Sequence, residues 1–273
     1  MSGLALVTGA TSGIGRATAF ELARGGMRVI VHGRDPARVR ETAEAVRNGG
    51  GVVEEAVADL SSQAQVRSLA ADLARRFGEL DVLLNNAGVY MHHRRLTDDG
   101  IETTFAVNVL APYLLTQLLL PLLLRSAPSR IVNVASVAHQ AVRAVDFGNL
   151  QGERHYGAYG AYALSKLGDI LITYAQAARL EGEDVTANAL HPGVISTKLL
   201  HAGFGFGGAP PEKGAQVEAY VAMSEEVEGV TGAYFTDHRP TLSSPLTYDE
   251  ELQARFWAEC ERLTGVAAES PAR

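Results

Sequence analysis

The run Leu4-Ala-Leu-Val7 followed by Thr8-Gly-Ala-Thr-Ser-Gly-Ile-Gly15 limits this chain's fold more than any other stretch. A short apolar segment enters three glycines and leaves as a helical pattern from Arg16 to Arg24, so strand, tight turn and helix follow without a spacer. Gly9 permits the turn, Gly13 lets the backbone approach a pyrophosphate, and Gly15 lets the helix pack closely. The spacing is one residue longer than the common dinucleotide fingerprint. Many glycine turns bind nothing, so its weight comes from lying between a strand and a helix.

The same alternation continues down the chain. Met27 to Val31 reads as a second strand, followed by a helix to about Val46. A third strand spans Val52 to Val57 and a helix runs from about Gln63 to Phe77. A fourth strand, Leu80 to Leu84, meets Asn85-Asn-Ala-Gly88. Asp59-Leu60 falls at the carboxyl end of the third strand, the edge where such sheets bind ligands. At the end of the second strand Gly33 leaves empty the position where an acidic side chain would take a ribose hydroxyl. Arg34 and Arg38 follow, which favours NADP(H) over NAD(H). Asp35 has a second reading as the cap of the helix beginning at Pro36.

Further on, Tyr162-Ala-Leu-Ser-Lys166 sets a phenol and an ammonium four residues apart on one helical face. A cation there favours the phenolate and makes the phenol a usable proton donor and acceptor near neutral pH. The chain has only three lysines among its 24 basic residues, at 166, 198 and 213. A compact ammonium has therefore been placed here in a chain that otherwise uses arginine.

Bulk properties narrow the class. A formal net charge of −7 over 273 residues, without a basic run, argues against nucleic acid as a partner. The single cysteine, Cys260, excludes an intrachain disulfide, and no His/Asp cluster has metal-ligand spacing, so no metal is expected. The apolar stretch Leu110 to Leu124 contains Pro112, Gln117 and Pro121 and is short for a bilayer span, so no membrane span is expected. The start shows no basic region or cleavable apolar segment. The expected address is the cytoplasm. No linker or repeat divides the chain, which gives one domain over 1–264 and a frayed tail over 265–273.

The glycine turn, Asn85-Asn-Ala-Gly88 and Tyr162-x-x-x-Lys166, in this order and at these distances, resemble the short-chain dehydrogenase/reductase family. Ser129 to His139, Asn149 to Glu153, and Tyr234 to Asp237 with Arg255-Phe-Trp257 resemble its retinol dehydrogenase-like branch. The resemblance implies a single doubly wound α/β domain, a Rossmann fold of about seven mainly parallel strands.

It also implies roles. Asn108, in a long helix beginning at Asp98-Asp99-Gly100, would help hold a water connecting Lys166 to solvent, and Pro112 should distort that helix locally. Ser136, at the end of a fifth strand, would bond the substrate oxygen, with Tyr162 moving the proton and Lys166 assisting it and holding the nicotinamide ribose. The coenzyme would lie on Gly9, Thr11, Ser12, Gly13, Ile14, Gly15, Arg34, Arg38, Asp59, Leu60, Asn86, Ala87 and Gly88. It would continue past Tyr162 and Lys166 to Pro192, Gly193, Val194 and Thr197, at the end of the sixth strand (185–190). His139 and His191 receive no chemical role.

The segment 201–211 is too glycine-rich for a firm helix; the resemblance implies a mobile lid here, with Phe204 and Phe206 available to cover a lipophilic aldehyde or ketone, the alternative being a disordered loop without function. A helix from Glu212, a strand over 232–236 and a helix from about Asp249 to Leu263 complete the chain. The apolar faces of helices 102–124 and 162–180 suit a homodimer, and burial within one subunit gives the same pattern. The expected activity is NADP(H)-dependent interconversion of a carbonyl and an alcohol, the alternative being a catalytically silent NADP(H)-binding sensor or scaffold.

Overall fold

β1 (Leu4–Val7) is buried on both sides, and its alternation divides the core. Leu4 and Leu6 enter one apolar cluster, while Ala5 and Val7 enter the other. The computed structural model describes residues 3–204 and 207–266, and within them β1 lies third in one sheet. The other strands are β2 (Arg28–Gly33), β3 (Val53–Val57), β4 (Val82–Asn85), β5 (Ser129–Val134), β6 (Val185–His191), β7 (Tyr234–Thr236) and β8 (Arg239–Pro240). Their spatial order is β3-β2-β1-β4-β5-β6-β7-β8, with every neighbouring pair parallel except β7 and β8.

Among the described residues the sheet has eight strands, one beyond the seven or so expected. The additional one is a two-residue return held by Asp237 and His238, both with positive φ (49° and 63°). Two successive left-handed residues make a tight hairpin turn, normally signalled by Asn-Gly or Asp-Gly. Asp-His carries a much weaker cue.

α1 (Gly13–Arg24), α2 (Pro36–Asn48) and α8 (Pro211–Met223) cover one face of the sheet. The other face carries α3 (Gln63–Arg76), α5 (Ala111–Arg125) and α6 (Ala158–Arg179). The chain reverses its strand order between β1 and β4, opening a crevice at their carboxyl ends. The loops after β1 and β4 meet there: the Thr8 amide donates to the Leu84 carbonyl (3.0 Å) and the Ala87 amide to the Thr8 hydroxyl (3.0 Å).

The helix expected from Asp98 begins later, with α4 (Thr103–Phe105). Gly100 turns the chain at φ 75°, and the Glu102 carboxylate caps the helix by accepting from the Phe105 amide (2.9 Å). α4 continues through a π-helical segment, Ala106–Leu110, into α5, forming one rod from Thr103 to Arg125. The expected distortion falls in the turn before Pro112, which has no N–H to give the Asn108 carbonyl. By length and composition alone this rod is apolar enough to cross a membrane, yet 83% of its apolar window is buried within the protein.

The face of α6 that suited a dimer is covered from within the chain by α9 (Glu250–Thr264), whose Phe256, Trp257 and Cys260 pack with Leu167 and Leu171. The start of the expected tail is also ordered. Gly265 ends α9 in the left-handed conformation, and Val266 packs on the core while its carbonyl accepts from the Tyr113 hydroxyl (3.1 Å). Residues 267–273 lie outside the described residues.

Candidate active site

The glycine turn is held by contacts that exclude side chains. A Cβ on Gly15 would lie 2.3 Å from Asn86 Nδ2 and 2.8 Å from the Gly9 carbonyl oxygen; one on Gly9 would lie 2.9 Å from Ala87 Cα. Asn86 ties the two loops by donating from Nδ2 to the Thr8 carbonyl (2.7 Å). Ser12 stands at the N-cap of α1 without a capping side-chain bond, and the first turn of α1 carries no acidic residue. Ile14 and Thr11 flank this turn. Thr197 closes over it, since a Cβ on Gly13 would meet Thr197 Cγ2 at 3.3 Å. This glycine cradle fits a pyrophosphate, with backbone amides and a helix terminus available to it.

At the end of β2, Gly33 is required by packing: a Cβ there would stand 2.5 Å from Thr11 Cγ2. Asp35 caps α2, accepting from the amides of Ala37 (2.9 Å) and Arg38 (3.4 Å), and is thereby committed to the helix. Arg34 is exposed beside it, and Arg38 donates to the Thr11 carbonyl (3.1 Å). At the end of β3 the Asp59 carboxylate accepts from the Ser61 amide (2.9 Å) and hydroxyl (2.8 Å), and Leu60 is buried.

The sequence reading gave no part to His32, yet it braces this corner. The Gly9 amide donates to His32 Nδ1 (3.4 Å), so Nε2 carries the proton and donates to the Ala58 carbonyl (3.1 Å). Burial lowers its pKa to about 4, which keeps this neutral tautomer.

The catalytic candidates converge across the crevice. Asn108 is locked by reciprocal bonds to Val89 (2.8 and 3.0 Å) and donates to Ser165 Oγ (2.9 Å), whose hydroxyl donates to the Tyr162 carbonyl (2.7 Å). Its amide joins the rod to the loop after β4 by two bonds and to α6 by one, which accounts for an asparagine in an apolar helix. Lys166 Nζ donates to the Val134 carbonyl (2.7 Å) and to Asp169 Oδ2 (2.9 Å), and lies 5.9 Å from the Tyr162 ring centroid. A Cβ on Gly88 would stand 3.6 Å from Asn108 Oδ1 and 3.8 Å from Lys166 Nζ, so these groups border the same space.

Ser136 follows β5, and its Oγ accepts from the Ala138 amide (3.2 Å). His139, to which the sequence assigns no chemical role, is completely buried. The Ser244 amide donates to its Nε2 (3.0 Å), so Nδ1 carries the proton and donates to the Ser136 carbonyl (2.6 Å). His139 therefore fixes the backbone that presents Ser136. A histidine three residues past a strand end gives no such signal, because its partner is 105 residues away.

Tyr90 walls the side of Tyr162, with ring centroids 5.5 Å apart, and packs near Leu199. Val137, Tyr159 and Val194 expose apolar surface. Pro192 is buried and Gly193 turns the chain at φ 95°. The Val194 carbonyl accepts from Ala209 (2.9 Å), drawing the following segment back toward β6. That segment contains a helix where none was expected, α7 (Lys198–Phe204), capped by Thr197 Oγ1 accepting from the Leu200 amide (3.1 Å). Its glycines come late: Gly203 packs against the Tyr90 ring, and the helix ends one residue later. Phe206 and the Phe204 side chain lie outside the described residues.

The model of the short chain dehydrogenase family matches residues 3–204. The chain is 40% identical to human retinol dehydrogenase 13, over 97% of this chain and 85% of that protein. It is 41% identical to mouse polyprenol dehydrogenase, over 96% and 84%. Among solved structures, an uncharacterized protein from Mycobacterium paratuberculosis matches with a TM-score of 0.83 at 31% identity, covering 99% of this chain and 95% of that one. The NADP active-site complex of Pseudomonas aeruginosa RhlG matches with a TM-score of 0.71 at 29% identity, covering 85% and 93%.

Proposed function

Because the chain belongs to the short-chain dehydrogenase family, we propose that it is an NADP(H)-dependent oxidoreductase interconverting a lipophilic carbonyl compound and its alcohol. One observation carries this reading: Asn108 and Lys166 border the space above Gly88, with Tyr162 beside Lys166, at the crevice where the loops after β1 and β4 meet.

The nicotinamide, when bound, supplies or accepts the hydride. The protein's own groups handle position and proton. The Ser136 hydroxyl donates to the carbonyl oxygen and orients it. Tyr162 gives that oxygen its proton in reduction and removes it in oxidation, with the Lys166 ammonium beside it. Asn108 fixes α6, and with it Tyr162 and Lys166, to the rod behind them. The Asn108 carbonyl, which Pro112 cannot engage, would hold a water on the proton's route from Lys166 to solvent, as in the family.

The preference for NADP(H) rests on Gly33, which leaves no acidic group at the adenosine ribose, on Asp35 being held by α2, and on the charge of Arg34 and Arg38. Gly9, Thr11 to Gly15, Asp59, Leu60, Asn86 to Gly88, Tyr162, Lys166, Pro192 to Val194 and Thr197 would line its course. The preference for lipophilic substrates rests on the apolar surface of Val137, Tyr159 and Val194, on Tyr90, and on the substrates named for the curated relatives. The cytoplasm is the proposed address, with one folded unit over 1–264. The test is a panel of aldehydes, ketones and alcohols of increasing chain length, followed by coenzyme absorbance with NADPH and NADH in parallel. The expected outcome is turnover with NADPH at least about tenfold more efficient than with NADH, and affinity rising with chain length. Binding of NADPH without turnover across the panel would favour a sensor.

A further inference from the structure

Lys166 is buried deeply for a charged side chain, at 6% exposure, and its contact with Asp169 is equally enclosed, at 3%. Removing an ammonium from water favours loss of its proton, and an isolated buried lysine can become neutral at the pH where it must act. Two things oppose that loss here: the Val134 carbonyl at 2.7 Å and the Asp169 carboxylate at 2.9 Å, one helical turn further along α6. We propose that Asp169 is a positioning residue of this centre, the counter-ion that keeps Lys166 protonated and seated between β5 and the crevice so that it can act on Tyr162. The proposal rests on the oxidoreductase reading for its kinetic consequence and on the ion pair alone for its electrostatic one.

Asp169 is itself anchored. The Thr173 hydroxyl donates to its carbonyl (2.5 Å), Asn133 Nδ2 donates to Thr173 (2.8 Å), and Asn85 Nδ2 donates to Asn133 Oδ1 (2.8 Å), linking α6 to β5 and β4. The carboxylate is therefore presented by a rigid frame.

The charged neighbours of Lys166 are few. On α6 they are Tyr162 and Asp169, and from α8 comes Glu218; the rod contributes Asn108 and β5 a carbonyl, both uncharged. Burial pulls the Lys166 pKa down, but Asp169, then Tyr162 and Glu218, outweigh it and leave it raised. Glu218 is the weaker candidate for this role, because burial lifts its carboxyl to about 8 and leaves it neutral at pH 7. Burial lifts Asp169 only to about 6, with Lys166 opposing, so Asp169 is the carboxylate that is ionised there.

With only three lysines in the chain, the pairing can be read directly. Lysine labelled with ¹³C at Cε gives three resonances, assigned with Lys198→Arg and Lys213→Arg, and followed from pH 5 to 11 in the full-length protein without substrate. In the native chain the Lys166 resonance should keep its ammonium position to at least pH 10 and show a small step near pH 6 as Asp169 titrates. In Asp169→Asn its titration should move down by at least about two pH units. The rate of alcohol oxidation at pH 7 should fall about 10- to 100-fold, with the acid limb of the kcat/KM profile displaced to higher pH. A Lys166 titration unchanged in the Asn variant, or an acid limb displaced to lower pH, would overturn the proposal. Should that variant not fold, the native chain still decides, since a Lys166 resonance that leaves its ammonium position well below pH 10 contradicts the pairing. The resonance needs no turnover, so a failed substrate screen and a failed ion pair are separate results.

Discussion

The two edges of the sheet invert the usual association of space with function. At the amino-terminal edge, around the starts of β5 and β6, a half-open cavity of about 1100 Å³ is lined by Glu181, Glu183, Asp184 and Glu228 with Arg130 and Arg179. At the carboxyl edge the groups are fewer but aimed: Asn86 is committed to Thr8, Asn108 to Val89 and Ser165, and Lys166 to Val134 and Asp169. The first is a volume lined by charges at the surface. The second is a set of donors whose orientation is fixed before any ligand arrives, and catalysis depends on that preorganisation.

Tyr162→Phe breaks the comparison most severely. It should reduce turnover about 10²- to 10⁴-fold, the usual worth of a positioned acid/base, while the dissociation constant for NADPH stays within about threefold. Steady-state rates and a fluorescence titration read the two quantities. Gly15→Ala attacks the same edge through its backbone. With only 2.3 Å between the new Cβ and Asn86 Nδ2, NADPH affinity should fall about 10- to 100-fold and stability by about 1–3 kcal/mol, measured by calorimetry and urea unfolding.

A smaller effect comes from Glu218, below the glycine turn. The Thr18 hydroxyl lies 3.0 Å from the Ile14 carbonyl and 2.6 Å from Glu218 Oε2, yet it has one proton to give. Burial outweighs the Thr18 bond and pushes the Glu218 carboxyl up to about 8, so Glu218 is the neutral acid at pH 7. Because the folded-state pKa lies above the unfolded value near 4.5, the native state holds a proton that the unfolded chain has lost. Its stabilising contribution is complete below pH about 4.5 and declines as pH rises to about 8. Thermal unfolding should show that decline in the native chain and a flatter profile in Glu218→Gln. Least affected should be Glu183→Gln in the amino-edge cavity, with kcat/KM within about twofold of native.

Much of the carboxyl edge was legible because its determinants are local. Gly9 to Gly15 lie between a strand and a helix within one short segment, and Tyr162 and Lys166 share one turn spacing. What stayed hidden depends on distant partners. Nothing near His139 announces Ser244 and nothing near Glu218 announces Thr18, whereas the Lys166–Asp169 pair is local at i,i+3 spacing and only its deep burial beside β5 was hidden. The misplaced helix start has the same origin: Asp98-Asp-Gly100 looks like a cap, but Glu102 supplies it after Gly100 has turned the chain. Local chemistry also missed β8, since its turn residues, Asp237 and His238, lack the glycine that normally marks a two-residue hairpin turn.

Hydride transfer at the carboxyl edge is tested most directly by isotope. The protein is incubated with a lipophilic aldehyde and NADPH carrying deuterium at nicotinamide C4, in separate preparations labelled on each face, and the alcohol is analysed by mass spectrometry. The account predicts one deuterium on the carbinol carbon from one of the two preparations, and none in Tyr162→Phe beyond its residual rate. Alcohol formed without label from either preparation, or labelled equally by native protein and Tyr162→Phe, would contradict it.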